Sequence, residues 1–228
     1  MRVLFTHHFP LNESAAGRLV QQWTAALTLS GSEVRTLLVD EHRQPSQRPA
    51  IERVVCRAGD SAADLAFDVP GFTTSGLNER VSGQTFLALS NVELAQYRDR
   101  LRRKLDAMIL KFDPHILHVQ HVWVLGQLAL ETGVPYVLNA WGPELVDAAA
   151  DPRFRELAEQ AAENASRILA VDHATLEQLT GLYDVSAERA QVLPAELALL
   201  DSPLRDEQTA MAEHLRELYQ AVLQERFG

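Results

Sequence analysis

Histidines stand at or near the ends of predicted strands in this sequence. His115, His118 and His121 follow one another at intervals of three residues around a predicted strand at 116–119. Residues three apart on a strand face opposite sides of a sheet, so these rings do not converge on one metal ion. A neutral imidazole at a strand end can instead hydrogen-bond a hydroxyl or accept its proton. His118 is therefore the candidate for hydroxyl chemistry, with a satisfied core histidine as the alternative.

Small residues form a second candidate feature just after the first predicted strand. Ala15, Ala16 and Gly17 open a predicted helix at 15–29. Small side chains here let a ligand approach the backbone amides at the helix start, which favour anions. The segment matches neither a G-x-G-x-x-G motif nor a Walker loop. Tight packing between strand and helix is the alternative interpretation.

Strands and helices alternate along most of the chain, which predicts a parallel sheet covered on both faces. We therefore predict an α/β fold: one doubly wound domain with a C-terminal helix packed on it. The predicted strands span 3–6, 34–39, 51–57, 116–119, 136–139, 168–171 and 191–193. The predicted helices span 15–29, 91–112 with Asn91 as its cap, 124–132, 154–164, 174–180 and 206–226. The stretch 58–90 shows no sustained period and is predicted to be a long excursion with one short helix.

The amino-acid composition argues against several classes of function. The 228 residues carry a net charge of -10 and a single cysteine, Cys56. The acidic balance argues against nucleic acid as the main partner, because a phosphate backbone favours a basic surface. One cysteine makes neither an internal disulfide nor a thiolate metal cage, and no apolar run reaches the ~20 residues of a membrane span. These features predict a cytoplasmic protein without a transmembrane segment.

Several segments, taken in order, resemble the N-terminal domain of retaining glycosyltransferases of the GT-B fold, family 4 type. Met1 to Phe5, with Pro10 and Gly17, is similar to that family's first strand and glycine-containing loop. Further similar segments are 31–34 ("G-x-x-V"), 112–120 ("x-P-D-I-I-H-x-H"), 133–138 ("G-x-P-x-V"), 165–171 ("A-D-R-I-I-A-V-S") and 191–194 (the exit strand). Gln120 and Trp141 stand where many members have histidine.

The resemblance implies an acceptor-binding half of such an enzyme. The family's second domain holds the nucleotide-sugar, and the residues after Pro194 are too few for one. We expect residues 1–204 to form the Rossmann-like domain and 205–228 the helix that returns onto it. A partner chain would then supply nucleotide-sugar binding, and this chain alone would be inactive. No metal and no other cofactor are expected.

The same resemblance places the acceptor, a sugar or glycolipid, along one edge of the sheet. His118 is the expected catalytic contact. The expected substrate-binding residues are Ala16, Gly17, His121, Asn139, Trp141 and Glu144. A basic run at 98–104 is either a solvated helix face or a peripheral contact with anionic lipid.

Two other function classes stay open. One is a non-catalytic binding or scaffold protein that keeps the fold and forms a homodimer, with 195–200 as a candidate apolar face. The other is a nicotinamide-dependent oxidoreductase, in which Asp40 at a strand end would bind a ribose, although the expected glycines are missing.

Overall fold

A seven-stranded parallel sheet organises the chain. The computed structural model describes residues 1–40, 50–55, 67–73, 84–198 and 205–227. Its strands are Arg2–His7 (β1), Glu33–Asp40 (β2), Ile51–Val55 (β3), Ile116–Gln120 (β4), Tyr136–Ala140 (β5), Arg167–Ala170 (β6) and Ala190–Val192 (β7). They lie in the order β3-β2-β1-β4-β5-β6-β7, and every adjacent pair is parallel. The predicted doubly wound sheet is confirmed.

Helices cover both faces of this sheet. Those in the described residues are Ala15–Leu29 (α1), Asn91–Phe112 (α2), Leu125–Thr132 (α3), Pro143–Ala150 (α4), Pro152–Asn164 (α5), His173–Leu182 (α6) and Arg205–Phe227 (α7). Val3 and Phe5 face a core built with α1 and α7, whereas Leu4 faces the core on the other side. Such alternation is what a strand buried on both faces requires.

The sequence analysis missed one helix and assigned the wrong cap to another. Helix α4 was not predicted, because Gly142 and Pro143 are typical of a loop. Gly142 adopts a φ of 101°, which glycine tolerates, and Pro143 then occupies the first turn, where its missing N–H costs nothing. The cap of α2 is Ser90 and not Asn91. Ser90 and Glu93 form a reciprocal capping box, which satisfies more backbone donors than Asn91 would.

The C-terminal helix α7 packs on the domain, as predicted, and it does so against α1. Met211, Leu215 and Tyr219 are fully buried in the core that they share with Trp23. The Trp23 indole N–H donates to the Leu197 carbonyl at 2.9 Å, which fixes the short 3₁₀ turn Ala195–Leu197 against the same helix. The described part of the 195–200 segment is therefore core at Leu197 rather than an exposed apolar face.

Part of the predicted excursion lies outside the described residues, as does Cys56. Within 84–90, the structure places the short 3₁₀ helix Phe86–Ala88. Among the helices that the structure describes, none has the length and apolar character needed to cross a membrane.

Candidate functional site

The candidate site lies where β1 and β4 end side by side. β1 continues outward to β2 and β3, whereas β4 continues to β5, β6 and β7, so the crossovers diverge at this point. In open parallel sheets, ligands bind at such a switch point, beyond the C-terminal ends of the strands. His7 ends β1 and His8 follows it, while His121 follows β4.

These three histidines form one buried cluster. The ring centroids of His7 and His121 are 5.5 Å apart, as are those of His8 and His121. All three side chains are fully buried. The hydrogen bonds fix the proton on His8: its Nε2–H donates to the Trp123 carbonyl at 3.3 Å, so its Nδ1 accepts from the Tyr97 hydroxyl at 2.7 Å.

The cluster is electrically neutral near pH 7. Burial lowers the pKa of His7 to about 3 and that of His121 to about 3, and it holds the pKa of His8 well below its usual value. Proximity of the rings lowers the pKa of His7 and His8 further, since a second charge beside the first is unfavourable. Neutral imidazoles can donate and accept hydrogen bonds but do not hold a positive charge here.

The backbone beyond β4 adopts unusual angles. His121 has a φ of 73° and Val124 has a φ of 53°. The left-handed region is rare for side-chain-bearing residues and is a genuine outlier for a β-branched residue such as Val124. Such conformations cost about 1–3 kcal/mol each and concentrate at functional sites. The loop that carries His121 is thus held in place by its surroundings and not by local preference.

His118 lies on the opposite face of β4 from this cluster. Its Nε2–H donates to Asn139 Oδ1 at 2.7 Å, and its Nδ1 accepts from the Tyr219 hydroxyl at 2.6 Å. The ring stacks on Trp23 at 5.0 Å and is fully buried. Burial lowers the pKa of His118 to about 4. Both ring nitrogens of His118 are engaged inside the protein, as are those of His8. Contact between His118 and an acceptor stays a prediction.

Gly17 belongs to a tightly packed helix start. A Cβ added at Gly17 would lie 2.4 Å from the Leu11 carbonyl oxygen, far inside van der Waals contact. The Gly17 amide is already used, because it donates to the capping Ser14 hydroxyl at 2.9 Å. Ala16 is fully buried. This geometry supports the packing alternative, in which the loop backbone itself occupies the space beside Gly17.

Asn139 lies in β5, and Trp141 and Glu144 follow that strand, on the other side of β4 from the first loop. The Trp141 indole N–H donates to Gln120 Oε1 at 3.1 Å, and its backbone N–H donates to Glu144 Oε1 at 2.7 Å. Trp141 is 5% exposed, so its ring packs in the core and does not present a face to solvent. Gln120 Nε2 is buried without a hydrogen-bond partner.

The predicted residues thus divide between two environments. His118, Asn139 and Trp141 lie on the α1/α7 side of the sheet, whereas His121 joins the cluster on the switch-point side. The sequence analysis did not name His7 and His8 as site residues, nor Tyr97, whose hydroxyl donates to His8. Two consecutive histidines directly after a buried strand were the signal that could have identified His7 and His8.

The other predicted features have ordinary structural surroundings. Asp40 is paired with Arg53, whose Nε lies 3.0 Å from the Asp40 carboxylate. In the described residues, no group of three or more His, Cys, Asp or Glu side chains is placed to hold a metal ion. Most of the basic run is paired with carboxylates of the same chain, a pattern typical of a solvated helix face: Arg98 and Arg102 with Glu131, Arg103 with Asp99, and Lys104 with Glu52.

Similar solved structures share this architecture. Sucrose-phosphate synthase from Thermosynechococcus elongatus is 12% identical, with a TM-score of 0.56, over 97% of this chain and 98% of that chain. A second structure of that enzyme gives 12% identity and a TM-score of 0.54 over 85% of this chain and 48% of that chain. UDP-GlcNAc 2-epimerase from Methanocaldococcus jannaschii is 12% identical, with a TM-score of 0.54 over 97% of this chain and 53% of that chain. This chain therefore spans about half the length of the latter two.

The doubly wound sheet with α7 packed on it is the fold that these structures share. Residues 14–196 match the glycosyl transferase 4-like domain. The chain belongs to that family. No curated protein sequence matches this chain.

Proposed function

We propose that this chain is the acceptor-binding half of a glycosyltransferase and that the acceptor hydroxyl meets the cluster of His7, His8 and His121. The observation that carries the proposal is the set of three neutral imidazoles at the switch point of a glycosyl transferase 4-like domain. An uncharged imidazole orients a hydroxyl by hydrogen bonding without repelling a cationic transition state. The acceptor class expected from the family is a sugar or glycolipid.

Proton balance supports an orienting role for the imidazoles. In glycosyl transfer, a bond forms between the acceptor oxygen and the anomeric carbon, while the bond from that carbon to the phosphate oxygen breaks. The acceptor proton must then move to a base. A leaving phosphate, with a pKa near ~6, is more basic than the imidazole of His121, whose burial lowers its pKa to about 3. The proton therefore leaves with the nucleoside diphosphate.

The nucleotide-sugar is proposed to bind on a second Rossmann-like domain from a partner chain. In the family arrangement, that domain lies between the last strand of the first half and the returning helix. Here β7 ends at Val192 and α7 begins at Arg205, so the connection between them holds no domain. In this chain, α7 closes directly onto α1, which leaves the strand ends to face a separately supplied donor domain.

Ligand-dependent thermal stability tests the proposal. A ligand at 100 times its dissociation constant stabilises the folded state by ~2.7 kcal/mol, which a melting curve resolves easily. We expect acceptor glycosides to raise the Tm of the chain alone. We expect UDP- and GDP-sugars to do so only when a donor-domain chain is present. A response to NAD alone would support the oxidoreductase alternative and contradict the proposal.

A non-catalytic scaffold is the second candidate, because all of the predicted site residues are buried. Ala16, His118, His121 and Glu144 show 0% exposure. A scaffold needs no entry path for a ligand. Light scattering together with the melting curves separates the two functions: a stable homodimer that responds to no acceptor and no nucleotide-sugar favours the scaffold.

A further inference from the structure

A cavity of about 590 Å³ opens at the edge of the sheet opposite the switch point. It lies where β6 begins at Arg167, where the segment from Ser186 to Arg189 leads into β7, and beside Arg226 near the end of α7. All strands are parallel, so their amino-terminal ends share this edge and their carboxyl ends share the other. A cavity of this volume is typical of sites that hold a small organic molecule.

Three arginines supply the positive charge of the cavity, and one of them is already neutralised. Arg167 donates to the Glu225 carboxylate from both terminal nitrogens, as paired arginines commonly do. Within the described part of the chain, Arg189 and Arg226 have no carboxylate at ion-pair distance. Even with Glu188, the other acidic residue of the lining, the cavity keeps an excess of positive charge in a chain whose net charge is -10.

The two unpaired guanidiniums are held in position by neutral groups. Arg189 Nη1 donates to the carbonyls of Glu163 and Ala165 at the end of α5, and Arg226 Nη2 donates to the Gly133 carbonyl after α3 at 2.7 Å. Carbonyls at helix ends carry only a partial negative charge, so they orient these groups without neutralising them. Each guanidinium uses one terminal nitrogen in these bonds, and no described residue accepts from the other.

Charge and geometry favour a phosphate group over a single carboxylate as the ligand. A phosphate monoester carries a charge of about -1.5 to -2 near pH 7, which matches two unpaired guanidiniums. Its oxygens accept paired bonds from arginine, and the Ser166 and Ser186 hydroxyls of the lining can donate to the same group. The cavity is also larger than a free phosphate ion requires, so an organic part would occupy the rest.

We propose that this cavity binds a small phosphate monoester, with Arg189 and Arg226 as the main partners of the phosphate. The ligand would join the end of α7 to the edge of the sheet, because Arg226 belongs to α7 and Arg189 precedes β7. The proposal does not depend on glycosyl transfer, since no residue of the switch-point histidine cluster lines the cavity.

Calorimetric titration at low ionic strength tests the proposal. The probes are glucose 6-phosphate, glycerol 3-phosphate and AMP, with inorganic phosphate for comparison. At least one monoester is expected to bind at least about threefold more tightly than inorganic phosphate. Arg226→Gln should weaken that binding about tenfold, because it removes a charged hydrogen-bond donor. Arg216→Gln removes the same charge from an exposed position of α7 outside the cavity, and it should bind within about twofold of the wild type.

A change of opposite sign separates ligand binding from helix capping. Glu188→Gln removes a negative charge from an exposed residue of the lining, so it should tighten monoester binding at least about twofold. Binding that Arg226→Gln leaves unchanged, or that Arg216→Gln weakens equally, would overturn the proposal. Inorganic phosphate that binds as tightly as every monoester would also overturn it. So would the absence of heat with all three monoesters at millimolar concentration, which would mean that these arginines only cap helices.

Discussion

His118 and His121 stand three residues apart at the end of β4, and the protein treats them in opposite ways. His118 has an ordinary strand backbone, two internal hydrogen bonds and a stacking partner in Trp23. His121 has a left-handed backbone and packs against two further imidazoles and Phe72. The first environment, the α7-side network, secures a helix to the sheet. The second, the switch-point cluster, combines strain with neutral polar groups, as functional sites do.

Lowering the pH should destabilise both environments together, and this is the largest change in unfolding free energy that we expect. His7 and His121 have pKa values of about 3 in the folded chain, His118 has one of about 4, and that of His8 is also strongly lowered. Each returns to about 6.5 on unfolding, so the unfolded chain binds more protons below pH 6.5 and stability falls as the pH falls. The three sites with pKa values of about 3 to 4 predict a slope of about 4 kcal/mol per pH unit near pH 5, and His8 changes stability in the same direction. Urea denaturation at several pH values between 7 and 5 measures this slope. A slope under about 1.4 kcal/mol per pH unit would contradict buried, neutral histidines.

The same substitution at both histidines should separate the two environments. His118→Asn leaves the Tyr219 hydroxyl and Asn139 without their buried partner, at an expected cost of about 2–4 kcal/mol of unfolding free energy. His121→Asn should cost at least about 1 kcal/mol less, because asparagine tolerates the left-handed backbone at position 121. Urea denaturation of both variants at pH 7.5 gives the comparison. Equal losses would mean that the switch-point cluster is as structural as the α7-side network.

A methyl group at Gly17 tests whether the start of α1 belongs to the rigid part of the molecule. Gly17→Ala should destabilise the fold by about 3 kcal/mol, since the added Cβ would meet the Leu11 backbone at 2.4 Å. Gly181→Ala is the matched control, because Gly181 lies in α6 with nothing within 4 Å of an added Cβ. That control should stabilise by about 0.5–1 kcal/mol through helix propensity. Thermal melts of both variants measure these changes in stability. If Gly17→Ala leaves the stability unchanged, the loop moves to accommodate the methyl group and a ligand could approach the helix start.

Removing the Tyr219 hydroxyl tests the single hydrogen bond that joins α7 to β4. Tyr219→Phe should cost about 2 kcal/mol, because His118 Nδ1 would be left buried without its donor. Tyr183→Phe removes a hydroxyl that is buried without a hydrogen-bond partner and should be neutral or stabilising. Both changes delete a single oxygen from a buried ring. If the two variants melt at the same temperature, the α7-side network does not stabilise the helix.

Periodicity and caps made much of the fold predictable, whereas long-range partners were not. The bounds of α1 match the prediction because its apolar spacing begins and ends sharply, and Gly31 follows with a φ of 83°. Strand alternation also predicts that His118 and His121 face opposite sides. The bond from Tyr219 to His118 spans 101 residues, and no local pattern encodes it. Phe72 comes from a stretch without any period, so its place in the cluster was invisible to spacing arguments.

The histidine ring signals themselves give the most direct test of the claim that the switch-point cluster, and not the α7-side network, receives the acceptor. The ¹⁵N-labelled wild-type chain is titrated with a panel of hydroxyl-bearing acceptors, and each histidine ring is followed separately by NMR. The account predicts that at least one acceptor shifts the His8 and His121 signals while the His118 signals stay in place. A panel in which only the His118 signals move, or in which no ring responds, would contradict it.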